Sequence, residues 1–161
     1  MASDILLQAA RYNRWANLRL LDVCSALSAE QLGLASPGTY GSIAATWQHL
    51  LGAEQRYLRR LVGYEPRLTE DDAFPGIAEL KEHAQRSGDA LVDAVGRFDP
   101  DGTSNSRDDS APKHWLVMNQ AIHHGNDHRT HICTILGQNG ISYGDLDVWA
   151  FGEAHDGYVK C

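Results

Sequence analysis

Cysteine is scarce in this chain: Cys24, Cys133 and Cys161 are odd in number and show no Cys-x-x-Cys spacing. Neither a disulfide framework nor a cysteine-rich zinc site fits that pattern. Five prolines against 15 glycines, with 43% hydrophobic residues, exclude collagen-like, low-complexity and disordered readings. Long apolar runs are missing too, and none approaches the ~20 residues of a membrane span. Met1-Ala2-Ser3-Asp4 carries an acid in place of a basic leader, and Ile5-Leu6-Leu7 is followed by Gln8 and Arg11. No signal peptide or membrane partner is therefore expected, and the expected setting is a reducing cytoplasm. Positive charge is also short, 14 basic against 21 acidic residues for a net charge of −7. Nucleic-acid phosphates would be repelled on average, and only Arg56, Arg59 and Arg60 cluster. A solvated surface accounts for the acidic excess without any special partner.

What remains is an ordinary globular composition of 161 residues with eight histidines. The length suits one domain, 1–161. Ile5, Ala9, Tyr12, Ala16, Leu20, Val23 and Leu27 fall at steps of three and four, which predicts a first helix over about 4–27. Ser28 to Gln31 reads as a capping box opening a brief helical turn. Ser42 is a fitting N-cap and Gly63 a fitting stop for a second long helix, 43–63. The polar stretch Glu65 to Pro75 reads as a solvated connection. A third helix is expected over 76–98 and a fourth over 111–136, the latter opened by Ser110 and Pro112. Residues 141–161 are expected to form an ordered but irregular C-terminal tail. No segment alternates with period two, so the fold class is all-α, a four-helix bundle. The connections at 28–42, 64–75 and 99–110 are long enough for crossovers, which leaves the order of the helices open.

Four of the eight histidines, 123, 124, 128 and 131, lie within nine residues of the fourth helix. The stripe Val117, Ala121, His124, His128, His131, Ile135 is apolar at its ends and imidazole in its middle. Burying these rings without partners would cost about 1–3 kcal/mol each, so something must satisfy them. His124 and His128 are four apart, which lets two ring nitrogens converge on one ion, and His49 in the second long helix is the candidate third ligand. An isolated histidine pair at this spacing is often a surface coincidence; its place in the apolar arc favours the metal. His131, about 10 Å from His124 along the axis, is a spectator, a fourth ligand, or a substrate contact or proton carrier. His83, flanked by Lys81, Glu82 and Gln85, reads as a solvated surface residue, and His114 and His123 as structural or exposed.

Sharper motifs fail. His124-Gly125-Asn126-Asp127-His128 has glycine where a zinc protease needs its general-base glutamate. No Glu-x-x-His is present for a di-iron site, and no phosphate-binding glycine loop or nucleophile elbow occurs.

Three segments carry a resemblance: Tyr12-Asn13-Arg14-Trp15-Ala16-Asn17, Gly41-Ser42-Ile43 leading to His49-Leu50-Leu51-Gly52-Ala53-Glu54, and His124-Gly125-Asn126-Asp127-His128-Arg129-Thr130. In order and spacing the chain resembles the DinB/YfiT superfamily of four-helix-bundle metalloproteins. The resemblance implies that His49, His124 and His128 hold a divalent ion, zinc or nickel before iron or manganese, with water completing the shell. Gly125 and His131 depart from it, because many members carry an acid and a glutamine there. Characterised members include transferases and isomerases that use bacillithiol, mycothiol or glutathione. The implied function is a metal-dependent hydrolase or thiol transferase acting on a small molecule, with a low-molecular-weight thiol as co-substrate. In it His131, Arg129 and Glu54 orient ligands or hold an anionic substrate. The alternative is a non-catalytic metal-binding stress or DNA-damage-inducible bundle. A homodimer is implied by the resemblance as well.

Overall fold

A computed structural model describes residues 2–103, 111–155, 157 and 158. Six helices follow one another: α1 (Ala2–Cys24), α2 (Ala29–Leu32), α3 (Ile43–Val62), α4 (Ile77–Ala94), α5 (His114–Gln138) and α6 (Val148–Ala154), with no strand among the described residues. The expected all-α bundle is therefore present, its four long members being α1, α3, α4 and α5.

Local signals set most of the ends. Ser28 and Gln31 form the reciprocal capping box that opens α2. The Ser42 side chain accepts from the Ala45 amide at the start of α3, and Gly63, at φ 72°, takes the left-handed turn that ends it. Two helices stop short of expectation. Residues 25–27 close as tight turns, Ala26 bonding back to Val23 and Leu27 to Cys24, and Phe98 closes on Ala94 beyond α4. The fourth long helix begins later than expected, at His114, with Lys113 as an N-cap that makes no side-chain bond. Ser110 lies outside the described residues. The tail is corrected more substantially: it contains α6, capped by Asp147, whose Phe151 packs edge-on against Tyr12 and Trp15 of α1.

The helix order that the sequence left open follows from which residues meet. One apolar cluster joins Leu20, Leu21 and Cys24 of α1 to Ile43, Trp47 and Leu50 of α3, Ile77 and Leu80 of α4, and Ile132 and Ile135 of α5. A second joins Ala10, Leu58, Leu61, Leu91, Val117 and Met118. Hence α1 and α5 run one way and α3 and α4 the other. Helix α1 packs beside α4 and α5, as does α3, so α1 and α3 sit on a diagonal. The 28–42 connection therefore crosses one end of the bundle.

Between the two apolar clusters runs a polar layer. Arg129 Nη1 donates to Asn13 Oδ1 and Asn17 Oδ1, both at 2.7 Å, and Asn13 Nδ2 donates to Glu54 Oε2 at 2.7 Å. Ser87 also donates to Glu54, and Arg129 Nη2 to Asn126. Every long helix contributes, and Asn13, Asn17, Glu54, Ser87 and Arg129 are all buried. Satisfying each donor and acceptor is what lets two ionisable groups sit at this depth.

Candidate metal centre

His49, two turns into α3, and His124 and His128, one turn apart on α5, meet where these adjacent antiparallel helices face each other. One ligand-capable nitrogen from each of the three rings lies within 4.8 Å of the other two. His124 Nε2 stands 3.0 Å from His49 Nε2, about the separation of two ligands each ~2.0–2.1 Å from one ion. His128 is 8% exposed and its Nδ1 is buried without a hydrogen-bond partner. A polar atom left in that state needs a reason, and a convergent set of imidazoles fits a divalent ion.

Electrostatics keep the rings ready for this. Burial, reinforced by the other imidazoles, pushes His124 and His128 each down from 6.5 to about 4. Both are neutral at pH 7, and neutral imidazole is the form that ligates metals.

Glu70 completes the arrangement from behind. Its Oε2 lies 2.8 Å from His49 Nδ1, a charge contact that is close but not aligned as a hydrogen bond. The same carboxylate accepts from Tyr40 Oη at 2.8 Å and from Arg56 Nη2 at 2.7 Å. Partial burial opposes ionisation, but the close His49 ring and the bonds from Tyr40 and Arg56 prevail and hold the carboxyl at about 2. The Tyr40 ring stacks on His49, with centroids 4.0 Å apart and planes 23° from parallel, and meets His128 edge-on at 5.1 Å. Tyr57 lies edge-on to His124 at 5.5 Å.

The connection from Glu65 to Pro75, expected to be merely solvated, is thus corrected: Leu68 in it is buried and Glu70 reaches the centre. Four acids lie close together there, and nothing in the sequence distinguishes Glu70 from its neighbours. Tyr40 was equally illegible; being only two residues before the Ser42 cap was its single hint.

Of the remaining expected site residues, His131 lies beside the trio, its ring 5.3 Å from that of His128 and its buried Nδ1 without a partner. Arg129 and Glu54 lie in the polar layer, with their bonds directed to Asn13, Asn17, Asn126 and Ser87. His83 is corrected outright: it is buried, and its Nδ1 lies 3.3 Å from Gln55 Nε2. Gly125 has a structural reason. A Cβ there would stand 2.3 Å from Asn13 Oδ1 and 3.0 Å from Arg129 Nη1, so a side chain at this position is incompatible with the polar layer.

No curated protein matches the sequence. The crystal structure of a DinB-like protein from Bacillus cereus ATCC 10987 superposes with a TM-score of 0.69 at 17% identity, covering 87% of this chain and 94% of that one. At that identity the likeness establishes the fold. The sequence pattern of the DinB family matches residues 1–156, nearly the whole chain. The protein, with its helical bundle and the histidine trio between α3 and α5, therefore belongs to the DinB family.

Proposed function

We propose that the chain is a metal-dependent enzyme acting on a small molecule, of hydrolase or thiol-transferase type, with a divalent ion held by His49, His124 and His128. The observation that carries this reading is the convergence of three imidazoles with the His128 Nδ1 left unpartnered in the interior. Held by His49, His124 and His128, such an ion would supply Lewis acidity that lowers the pKa of a bound water or thiol. The family resemblance implies zinc or nickel ahead of iron and manganese, and an imidazole donor set suits zinc and nickel.

The protein's own groups divide the remaining work. His131, with a free ring nitrogen next to His128, is the group able to carry a proton at the centre. Arg129 and Glu54, buried and mutually bridged, act as positioning groups for α5 beside His128. Burial pushes the Cys24 and Cys133 thiols up to about 11. Neither of these described cysteines is a thiolate at pH 7, and the thiol nucleophile of the reading is a low-molecular-weight co-substrate. Among the described residues no helix is long and apolar enough to cross a membrane, and a cytoplasmic setting goes with the reading. Exposed Ile5, Val148 and Trp149 offer apolar surface for the homodimer that the family resemblance implies.

Metal analysis of the purified protein tests the centre. We expect about one divalent ion per chain, lost in His49→Ala and in His128→Ala. Stoichiometric metal retained in both variants would refute it.

A further inference from the structure

We infer that Glu70 is a positioning residue that fixes the tautomer of His49 and thereby aims its Nε2 at the ion; this rests on the metal-centre reading above. A neutral imidazole carries one N–H, and an ionised carboxylate can only accept. Glu70 Oε2 lies 2.8 Å from Nδ1, and a His49 that gives its Nε2 lone pair to the ion keeps its proton on Nδ1, on the side of the carboxylate, with Nε2 facing His124. The 3.0 Å contact between the two Nε2 atoms then assigns His124 as well: in the metal-free protein its Nε2 is the donor. A carboxylate behind a ligating histidine orients the ring and raises its basicity.

The surroundings are built to deliver that carboxylate. Gln48, next to His49 in sequence, donates to the backbone carbonyls of Thr69 and Asp72 at 2.9 and 2.7 Å, gripping the turn that contains Glu70. Asp72 closes the same turn by accepting from the Thr69 amide at 2.8 Å. Gln55 accepts from the Arg67 amide as the same segment leaves α3. Arg56, two turns after His49 on α3, compensates the charge, and Tyr40 both donates to Glu70 and stacks on the His49 ring. Tyr40 sets the ring plane and Glu70 the proton.

The test combines nitrogen-15 NMR of histidine in the metal-free protein with Zn²⁺ affinity measured against a chromogenic chelator. In the wild type His49 should be protonated at Nδ1. Glu70→Ala should move it toward the Nε2–H form and weaken Zn²⁺ binding roughly 10–100-fold. E70Q, which keeps the shape and an acceptor oxygen, should recover part of both and serves as the decisive variant if the alanine variant does not fold. An unchanged His49 tautomer, or wild-type affinity in both variants, would overturn the inference while leaving the metal centre standing. A wild type that binds no Zn²⁺ would instead sink the metal reading, and the inference with it.

Discussion

At the scale of single residues, position matters more than residue type. Gly125 and Glu70 both departed from expectation, and for both the reason is a contact from a distant part of the chain. Gly125 leaves room for Asn13, whose amide links Arg129 to Glu54. Gly125→Ala should therefore cost about 1–3 kcal/mol, because the polar layer cannot shift without breaking bonds at buried ionisable groups. Urea unfolding would measure it, and a loss under about 0.5 kcal/mol would mean that the layer yields easily. The histidine pair on α5 was legible because its spacing is a property of one helix. His49 was legible as a candidate, and its selection rested on the family resemblance. Glu70 and His83 were not, since their neighbours in sequence are charged and only the fold supplies Tyr40, Arg56 and Gln55.

At the scale of elements, capping chemistry decided which boundaries could be read. The limits of α3 came from Ser42 and Gly63, because a cap is a bond between residues three or four apart. The start of α5 and the end of α4 have no such signal, and beyond α1 and α4 apolar periodicity runs on past the helix into turns. Helix α3 carries His49 two turns from its cap. Removing the hydroxyl in Ser42→Ala should lower stability by about 1 kcal/mol. Zn²⁺ affinity should change little, because Gln48 and Glu70 still hold the ring in place. Chemical denaturation with a parallel chelator titration checks both halves, and a stability loss near zero would show that Ser42 contributes nothing as a cap.

At the scale of the molecule, the bundle holds ionisable groups whose protonation differs from that of the unfolded chain. Burial lowers His124 and His128 from 6.5 to about 4, so between those pH values the unfolded chain binds more protons than the native one. Stability therefore falls as pH drops through that window. Glu70, held at about 2 against an ordinary 4.5, extends the fall further into acid. Metal should steepen the effect, since bound imidazoles must stay deprotonated. Unfolding midpoints at pH 7.5, 5.5 and 4.5, with and without chelator, should decline in both series and more steeply with metal. A flat chelated series between pH 6.5 and 4 would contradict the assigned histidine environments.

The sequence by itself determined the four long helices, two of their caps and the histidine pair, because periodicity, capping and i, i+4 spacing are local properties of one helix. Tertiary structure alone decided the antiparallel meeting of α3 and α5, the polar layer across all four long helices, and the delivery of Glu70 to His49. Each of these depends on contacts between residues 20 to more than 100 positions apart, which no local pattern encodes and which packing of the two apolar clusters brings together.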